Sequence, residues 1–313
     1  MNQAQTMDSN SPVVLFVYNR SDHLRRTLDA LNKNRSIANA KLYIFSDGPR
    51  SEVDEKSVND VRDLIRRKNG FGNTEIVESD CNKGLATSVI EGATQVLEEH
   101  GSIVVLEDDV VTSPGWYDFM NGGVNYYKDD ATIWSIGGYC PPLKFPASYP
   151  HEVFLSPMPT SISWGTWIDR WKLIDWDITD FDEFINDRAR INRFCGWKPS
   201  RMRLLKRTMR NMNNSWAVRF GYAAAKHEKL NILPIKSKTN HIGYDIGEHM
   251  RPSQAKAAVA KYSVELVDEP YEFRDDLHLE SQIVSALKKF YHVSTLARVK
   301  HFSARLLEQI GIR

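Results

Sequence analysis

The first 110 residues alternate between short apolar runs and longer amphipathic stretches, and this alternation constrains the fold most. The runs with the length of buried strands are 13–18, 41–46, 75–78 and 102–106. The stretches with helical periodicity between them are 22–34, 53–68 and 83–100, the last ended by Gly101. Strands that alternate with helices in this way predict an α/β fold, with a mostly parallel sheet and helices on both faces.

Polar residues follow three of the four predicted strands directly. The sequence has Asn19 and Arg20 after the first strand, Asp47 after the second, and the acidic run 107–109 after the fourth. In sheets of this kind, ligands bind at the carboxyl ends of the strands. We therefore expect these side chains to converge on one edge of the sheet and to form a ligand site there.

Glu107, Asp108 and Asp109 form an acidic run in which three bare carboxylates would repel one another. A divalent cation compensates such a cluster directly. Carboxylate oxygens suit Mg²⁺ or Mn²⁺, which proteins usually share with substrate phosphates. An ion in this position would also stabilise the charge that develops on a departing diphosphate. The competing interpretation is an exposed loop whose carboxylates are solvated.

The overall charge is nearly balanced, with 41 Lys and Arg against 40 Asp and Glu, which gives a net charge of +1. This balance argues against a general nucleic-acid binder, because such domains are usually strongly basic. The three cysteines form neither a CxxC pair nor a zinc-binding spacing. The sequence shows no secretory signal and no apolar run of 18 residues, so we expect a cytoplasmic protein.

Several motifs in order along the chain resemble those of GT-A glycosyltransferases, closest to the N-acetylglucosaminyltransferase I-like group and related bacterial family 2 enzymes. The motifs are FVYNRSDHLRRTLDAL (16–31), FSDG (45–48), NKGLA (82–86) and IVVLEDDVVTSPGWYDFMN (103–121). The resemblance spans roughly residues 12–250. It implies a Rossmann-like GT-A catalytic domain over residues 12–260, which leaves a C-terminal helical tail over 261–313.

The resemblance also implies a role for each matching position. The residues implied in binding the nucleotide sugar are Asn19, Arg20, Asp47, Lys83, Glu107, Asp108 and Trp164. Asp109 and His249 are implied as ligands of Mn²⁺ or Mg²⁺. His249 ends KTNHIGYDIGEH, which resembles a flexible loop that closes over the donor. Without the resemblance, the residues favour simpler interpretations. Asp47 before Gly48 is typical of a turn, and a single histidine in a polar segment, such as His249, is usually a surface residue.

Tryptophan is concentrated in the middle of the chain, where six of the eight lie between positions 134 and 197. Core packing explains most such residues. A cluster this dense also suits an aromatic platform for a sugar ring. Trp164 belongs to SISWGTWIDRW (161–171), which resembles the segment that lines the acceptor side in the family.

The sequence departs from the family pattern at Trp216, since related inverting enzymes carry a catalytic Asp beside the matching tryptophan. Here the neighbourhood is NNSWA, with no acid. An inverting transfer needs a general base near the acceptor hydroxyl. The candidates are Asp175, Asp177, Asp180 and Asp182 in DWDITDFDEF and Asp245 in KTNHIGYDIGEH, and Asp177 and Asp245 are the two to test first. The alternatives are that another carboxylate serves, that the alignment is shifted, that residues 175–183 form a solvated loop, or that the enzyme is weak or inactive.

The segment 281–307 contains no Asp or Glu, five Lys and Arg, and two apolar stripes. This pattern is typical of basic amphipathic helices on anionic membrane surfaces. Such a tail would hold the enzyme at the inner face of the cell membrane and suit a lipid-linked glycan acceptor. The alternative is a pair of helices that pack on the catalytic domain or on a second subunit.

The resemblance, with which the acidic run and the strand-end residues agree, implies a metal-dependent hexosyl- or N-acetylhexosaminyltransferase in surface polysaccharide synthesis. It would move a sugar, with inversion, from a nucleoside diphosphate sugar (UDP favoured) to a glycan hydroxyl. One alternative is a glycan-binding subunit with a decayed site. Another is a sugar nucleotidyltransferase, but VYNRSDHLRR lacks the Gly-rich loop that such enzymes carry after their first strand.

Overall fold

The computed structural model describes residues 10–67, 71, 73–196, 198–244 and 252–291. Its strands are β1 (Val13–Val17), β2 (Leu42–Ser46), β3 (Thr74–Glu78), β4 (Ser102–Glu107), β5 (Val110–Thr112), β6 (Ile133–Gly137), β7 (Val153–Ser156), β8 (Ser163–Trp167), β9 (Leu230–Pro234) and β10 (Thr239–His241). Its α-helices are α1 (Ser21–Leu31), α2 (Glu52–Arg67), α3 (Leu85–His100), α4 (Trp116–Tyr126), α5 (Ile168–Trp171), α6 (Phe181–Phe184), α7 (Arg188–Cys195), α8 (Ser200–Met209), α9 (Trp216–Lys226), α10 (Pro252–Tyr262) and α11 (Ser281–Tyr291). A short 3₁₀ helix covers Ile37–Asn39.

Eight strands form one sheet in the order β3-β2-β1-β4-β8-β6-β9-β7. The four strands predicted from the sequence make its parallel half, because β1 pairs in parallel with both β2 and β4, and β2 with β3. In the other half, β8 and β7 run antiparallel to their neighbours, while β6 and β9 pair in parallel. The predicted α/β class, with a mostly parallel sheet flanked by helices, is confirmed.

Strand β1 is buried on both faces, which explains why its sequence is continuously apolar. Successive side chains of a strand point to opposite faces. Accordingly, Leu15 packs in one core cluster with Leu24 of α1, while Phe16 packs in another with Val89 of α3. Helix α3 ends at Gly101, as predicted, in the left-handed conformation with φ 77°. The helices therefore cover both faces of the sheet and leave the strand ends free.

The first part of the basic tail packs on the protein itself. Ile283 and Leu287 of α11 are each 2% exposed and lie in one cluster with Phe154 of β7 and Leu233 of β9. For residues 281–291 the structure thus favours packing over a free membrane-binding face. The remainder of the tail, 292–313, lies outside the described residues. Of the helices that are described, none is both long and apolar enough to cross a bilayer.

Candidate functional site

A cleft of about 500 Å³ opens at the carboxyl ends of β1, β2 and β4. Its wall includes five of the residues predicted from the sequence, which are Asn19, Arg20, Asp47, Glu107 and Asp108. The expected convergence follows from the topology, since parallel neighbouring strands end at the same edge. The start of α3 closes the opposite side through Asn82, Gly84, Leu85 and Ser88.

Asp47 fastens two loops of this cleft together. Its carboxylate accepts hydrogen bonds from the backbone N–H groups of Gly48 (2.9 Å), Lys83 (2.8 Å) and Gly84 (2.9 Å). The side-chain amide of Asn82 donates a fourth, at 3.1 Å. A carboxylate has about four lone-pair positions, so these four donors account for its accepting capacity. The geometry supports the turn-forming interpretation of Asp47, extended to the loop that follows β3.

Lys83 lies between two residues of the cleft wall, Asn82 and Gly84, but does not itself line the cleft. The Nζ atom of Lys83 lies 2.7 Å from the carboxylate of Glu91, which belongs to helix α3. Its backbone N–H belongs to the Asp47 network. The implied contact between the Lys83 side chain and a base or diphosphate stays a prediction, since that contact would require the ion pair with Glu91 to open.

Arg20 supplies the positive charge that compensates the acidic run. One guanidinium nitrogen lies 2.5 Å from Oδ1 of Asp108, and the other lies 2.7 Å from Oδ2 of Asp109. Both carboxylates are buried, while the arginine side chain is 33% exposed to the cleft. Tyr18 adds a backbone hydrogen bond to Asp108 at 3.3 Å. The acids that follow β4 are therefore held by the residues that follow β1.

The three acids differ in pKa because their surroundings differ. Burial, reinforced by the other two carboxylates, raises the pKa of Glu107 to about 8. Burial also raises the pKa of Asp108 to about 6, although Arg20 partly opposes it. At Asp109, burial acts in the same direction, but His241 and Arg20 outweigh it and hold the pKa below its ordinary value. Asp109 is thus the member of the run that is most firmly ionised.

Asp109 has one carboxylate oxygen that the described residues leave without a hydrogen bond. This atom, Oδ1, is fully buried, whereas Oδ2 faces Arg20 and lies 3.2 Å from Nε2 of His241. The described part of the chain contains no group of three His, Cys, Asp or Glu side chains arranged to hold a metal. The oxygen that the described residues leave without a partner, Oδ1 of Asp109, is the kind of donor that Mg²⁺ or Mn²⁺ takes, and such ions usually combine one or two carboxylates with substrate phosphates and water. His249 lies outside the described residues.

His241 and Gly243 belong to the site, and of the two only Gly243 had been noted from the sequence, as a residue that could give the loop hinge freedom. Strand β10 pairs with β5, which places His241 opposite Val110 and next to Asp109. A Cβ atom on Gly243 would lie 2.1 Å from Oδ2 of Asp109, so only glycine fits there. Both residues lie in KTNHIGYDIGEH, the motif that drew attention to His249. The strand pairing reveals that the earlier histidine of this motif lies beside Asp109.

A second cavity, of about 460 Å³, lies on the other side of segment 241–244. His241 and Tyr244 form part of its wall, whereas Gly243 lines the cleft. The rest of the wall comes from the loop before β8, from α8 and α9, and from the C-terminal residues Tyr262, Leu287 and Tyr291. Two cavities thus flank one short segment that also touches Asp109.

The structure places Trp164 away from both cavities. It is 1% exposed and stacks on Trp171, with ring centroids 5.6 Å apart and planes 9° apart, in a cluster with Trp216 and Phe220. Both faces of its indole are used within the core. The tryptophan-rich middle of the chain is accordingly a packing feature at Trp164, and this residue offers no platform to a sugar.

Neither candidate for the general base lies in the described walls of the cavities. Asp177 is exposed in a turn closed by Asp175, whose carboxylate accepts from the backbone N–H of Asp177 at 3.1 Å. Asp245 lies outside the described residues. At the position beside Trp216, where related enzymes carry the acid, this chain has Ser215. Its hydroxyl caps α9 by accepting a hydrogen bond from the N–H of Val218 at 3.3 Å. The catalytic roles of Asp177 and Asp245 stay predictions.

The chain is similar in structure to proteins whose structures have been solved. No model of a known protein family matches the chain, and no curated protein matches it. Among solved structures, similarity is found to a mannosyltransferase from Pyrobaculum calidifontis in complex with GDP-mannose and Mn²⁺. Identity is 13% and the TM-score is 0.34, over 52% of this chain and 48% of the other. The match spans about half the length of each protein.

Proposed function

We propose that this protein is a glycosyltransferase that takes its sugar from a nucleoside diphosphate sugar bound in the cleft of β1, β2 and β4. The observation that carries the proposal is the buried network of Arg20, Asp108, Asp109 and His241 at the carboxyl ends of parallel strands. Charged side chains are rarely buried without a functional or structural reason, and two members of this network, Arg20 and Asp108, line a cavity of ligand size.

Asp109 is the residue that would hold a divalent ion, through the buried oxygen that the described residues leave without a partner. When bound, the ion would neutralise charge on the departing diphosphate. Arg20 reaches the same cleft with its exposed guanidinium edge and is suited to phosphate oxygens. Asn19 and Glu107 line the remaining wall, where they would meet the nucleoside and sugar hydroxyls.

In the proposed reaction, the oxygen of an acceptor hydroxyl attacks the anomeric carbon of the donor sugar. The bond between that carbon and the diphosphate oxygen breaks, and its electron pair leaves with the nucleoside diphosphate. The proton of the acceptor hydroxyl passes to a general base, for which Asp177 and Asp245 are the proposed residues. Direct displacement of this kind inverts the configuration at the anomeric carbon.

The finer assignments are part of the same proposal. We infer a UDP-sugar as donor, a hexosyl or N-acetylhexosaminyl group as the transferred unit, and a glycan hydroxyl as acceptor in surface polysaccharide synthesis. The arrangement of two cavities on either side of segment 241–244 supports a two-substrate enzyme. Gly243, in contact with Asp109, is placed to respond to a ligand there.

Thermal unfolding in the presence of UDP, GDP and CMP, each with and without Mn²⁺, tests the proposal. We expect one nucleoside diphosphate to raise the melting temperature in a Mn²⁺-dependent manner. Asp109→Asn should abolish the Mn²⁺-dependent part, whereas Glu98→Gln, at an exposed position of α3, should leave it unchanged. Absence of any shift with the diphosphates would overturn the donor assignment.

Turnover is measured as release of the nucleoside diphosphate from a panel of UDP- and GDP-sugars. We expect release with the wild-type protein and none with Asp109→Asn. A protein that binds the diphosphate with Mn²⁺ but never releases it from any sugar donor would instead be a binding subunit. A sugar nucleotidyltransferase would be identified by formation of pyrophosphate from a nucleoside triphosphate and a sugar phosphate.

A further inference from the structure

The second cavity carries two cationic side chains, Lys198 and Arg201. Arg201 is 7% exposed, and Lys198 is partly buried. No Asp or Glu of the described residues forms an ion pair with either side chain, and the only charged neighbours that influence Lys198 are Arg201 and Lys261. Buried charges are normally paired. Among the described residues, this cavity thus holds two cationic side chains that no carboxylate pairs, an arrangement that suits an anionic ligand.

Arg201 is held in one position by its surroundings. Its Nη1 atom donates to the carbonyl oxygen of Phe194 at 2.8 Å, and its guanidinium lies 4.2 Å from the centroid of the Phe194 ring. A Cβ atom on Gly221 would lie 2.1 Å from Nη2, so helix α9 carries glycine where the arginine passes. Burial lowers the pKa of Arg201 to about 10, which leaves it charged at neutral pH.

Lys198 and the aromatic residues complete the lining. The Nζ atom of Lys198 lies 4.8 Å from the ring centroid of Tyr291. Burial lowers the pKa of Lys198, and the charges of Arg201 and Lys261 lower it further. The tyrosines in the wall are Tyr139, Tyr244, Tyr262 and Tyr291. Aromatic walls around fixed cations suit a ligand that has both a sugar ring and an anionic group.

We propose that this cavity binds the phosphoryl group of a phosphorylated acceptor, with Lys198 and Arg201 as the phosphate-binding residues. This inference rests on the proposed function, because it names the acceptor class of the same enzyme. A phosphoryl group carries between one and two negative charges and matches two cations better than a single carboxylate does. Segment 241–244 lines both cavities, which would bring an acceptor in the second cavity close to a donor in the cleft.

Calorimetric titration of the full chain tests the proposal with defined probes. The probes are inorganic phosphate, glucose 1-phosphate, glucuronate and glucose. We expect glucose 1-phosphate to bind most tightly and glucose to bind least. Glucose that binds as tightly as glucose 1-phosphate would overturn the proposal, as would a preference for glucuronate.

Substitutions in α8 and just before it locate the binding site. Lys198→Gln and Arg201→Gln should each weaken the affinity for glucose 1-phosphate by about tenfold or more, as expected for loss of a charge-assisted hydrogen bond. Lys206→Gln, on an exposed position of α8, is the matched control and should leave the affinity unchanged. Unchanged affinity in Lys198→Gln would overturn the proposal even if Arg201→Gln fails to fold.

Competition separates this cavity from the donor cleft. Saturating UDP with Mn²⁺ should leave the affinity for glucose 1-phosphate unchanged, and Lys198→Gln should leave the affinity for UDP unchanged. Displacement of glucose 1-phosphate by UDP would place the phosphate in the donor cleft and overturn the inference. If the protein binds glucose 1-phosphate through Lys198 but never binds a nucleoside diphosphate, the anion site is supported. The proposed transferase function is then wrong.

The source of the phosphate is distinguished by a second arm of the experiment. Flotation with vesicles that contain 20% phosphatidic acid, set beside vesicles of phosphatidylcholine alone, tests a phosphate presented at a membrane. If Lys198→Gln reduces flotation relative to Lys206→Gln, the cavity accepts a lipid-linked phosphate. If flotation is equal in both variants while binding of glucose 1-phosphate differs, the ligand is a soluble sugar phosphate.

Discussion

The guanidinium of Arg20 lies 2.7 Å from the carboxylate of Asp109, and the same side chain also holds Asp108. The residue after the first strand thus neutralises the acids after the fourth, inside a cleft of ligand size. The arrangement has two consequences. The acidic run is stable without any further cation, and a divalent ion that binds Asp109 must share this carboxylate with the arginine.

Replacement of Arg20 should therefore destabilise the protein more than replacement of a surface arginine. We expect Arg20→Met to lower the free energy of unfolding by about 3 kcal/mol at pH 7, because two buried carboxylates lose their counter-charge. The matched control is Arg25→Met on the adjacent helix α1, where the pair with Asp22 is exposed and should cost less than about 0.5 kcal/mol. Urea unfolding measures both.

Manganese should restore part of the stability that Arg20→Met loses. A divalent ion on Asp109 replaces the missing positive charge, so the variant should gain more from Mn²⁺ than the wild type does. The comparison is the shift in melting temperature with and without the ion. An equal shift in both proteins would show that Arg20 and the metal do not act on the same carboxylate.

Asp47→Asn tests the loop network at the end of β2. An amide oxygen can replace one carboxylate oxygen, but the NH₂ group turns its hydrogens toward backbone N–H groups that need an acceptor. We expect a loss of about 2 kcal/mol in the free energy of unfolding. Asp80→Asn is the control, because Asp80 is exposed in the same loop region. If the two variants are equally stable, Asp47 is not the fastening point that its four hydrogen bonds indicate.

The parallel half of the fold could be predicted because its signals are local. Runs such as 13–18 and helix stops such as Gly101 act within a few residues, and the observed elements follow the predictions closely. The convergence of Arg20 and Asp108 could also be predicted, because parallel strands end at one edge. In contrast, His241 could not be located, since its place beside Asp109 depends on β10 pairing with β5 across more than 120 residues.

Trp164 shows why composition alone misleads about a site. A dense tryptophan cluster is compatible both with a sugar platform and with a core, and the two differ in whether the indoles line a cavity or are buried among other side chains. Strand β8 turns Trp164 toward α9 and the middle of the sheet. The cations of the second cavity could not be found from the sequence. Lys198 and Arg201 lie in a basic stretch that has no motif and no unusual composition to mark a site.

Asp180 should make the stability of the helical region depend on pH. Its carboxylate pairs with Arg190, accepts from the hydroxyl of Tyr222 at 3.0 Å and lies 3.1 Å from Nζ of Lys226. Burial alone would raise the pKa of Asp180, but these partners hold it below its ordinary value of 3.8. A lowered folded-state pKa means that the stabilisation is complete above about pH 4 and is lost as the pH falls through the folded value.

We expect Asp180→Asn to cost about 2 kcal/mol at pH 7 and progressively less below pH 4. The measurement is urea unfolding at pH 7, 5 and 3.5. Asp182→Asn is the control, since Asp182 is exposed two residues away and should show a small, constant difference from the wild type. A cost of Asp180→Asn that stays constant down to pH 3.5 would contradict the proposed ion pairing.

Two tryptophan substitutions distinguish the core role of Trp164 from a role in sugar binding. Trp164 and Trp116 are both fully buried, but their indole nitrogens differ. Nε1 of Trp116 donates to the hydroxyl of Ser163 at 2.8 Å, whereas Nε1 of Trp164 has no hydrogen-bond partner among the described residues. Replacement by Phe keeps an aromatic ring in each position and removes the N–H group.

We therefore expect Trp164→Phe to cost about 1–2 kcal/mol of unfolding free energy, from lost packing alone. Trp116→Phe should cost about 1 kcal/mol more, because the hydroxyl of Ser163 also loses its partner. Neither substitution should change the affinity for a nucleoside diphosphate measured with Mn²⁺. A tenfold loss of that affinity in Trp164→Phe, with little change in stability, would support the prediction that Trp164 binds the nucleotide sugar and would contradict a purely structural role in the core.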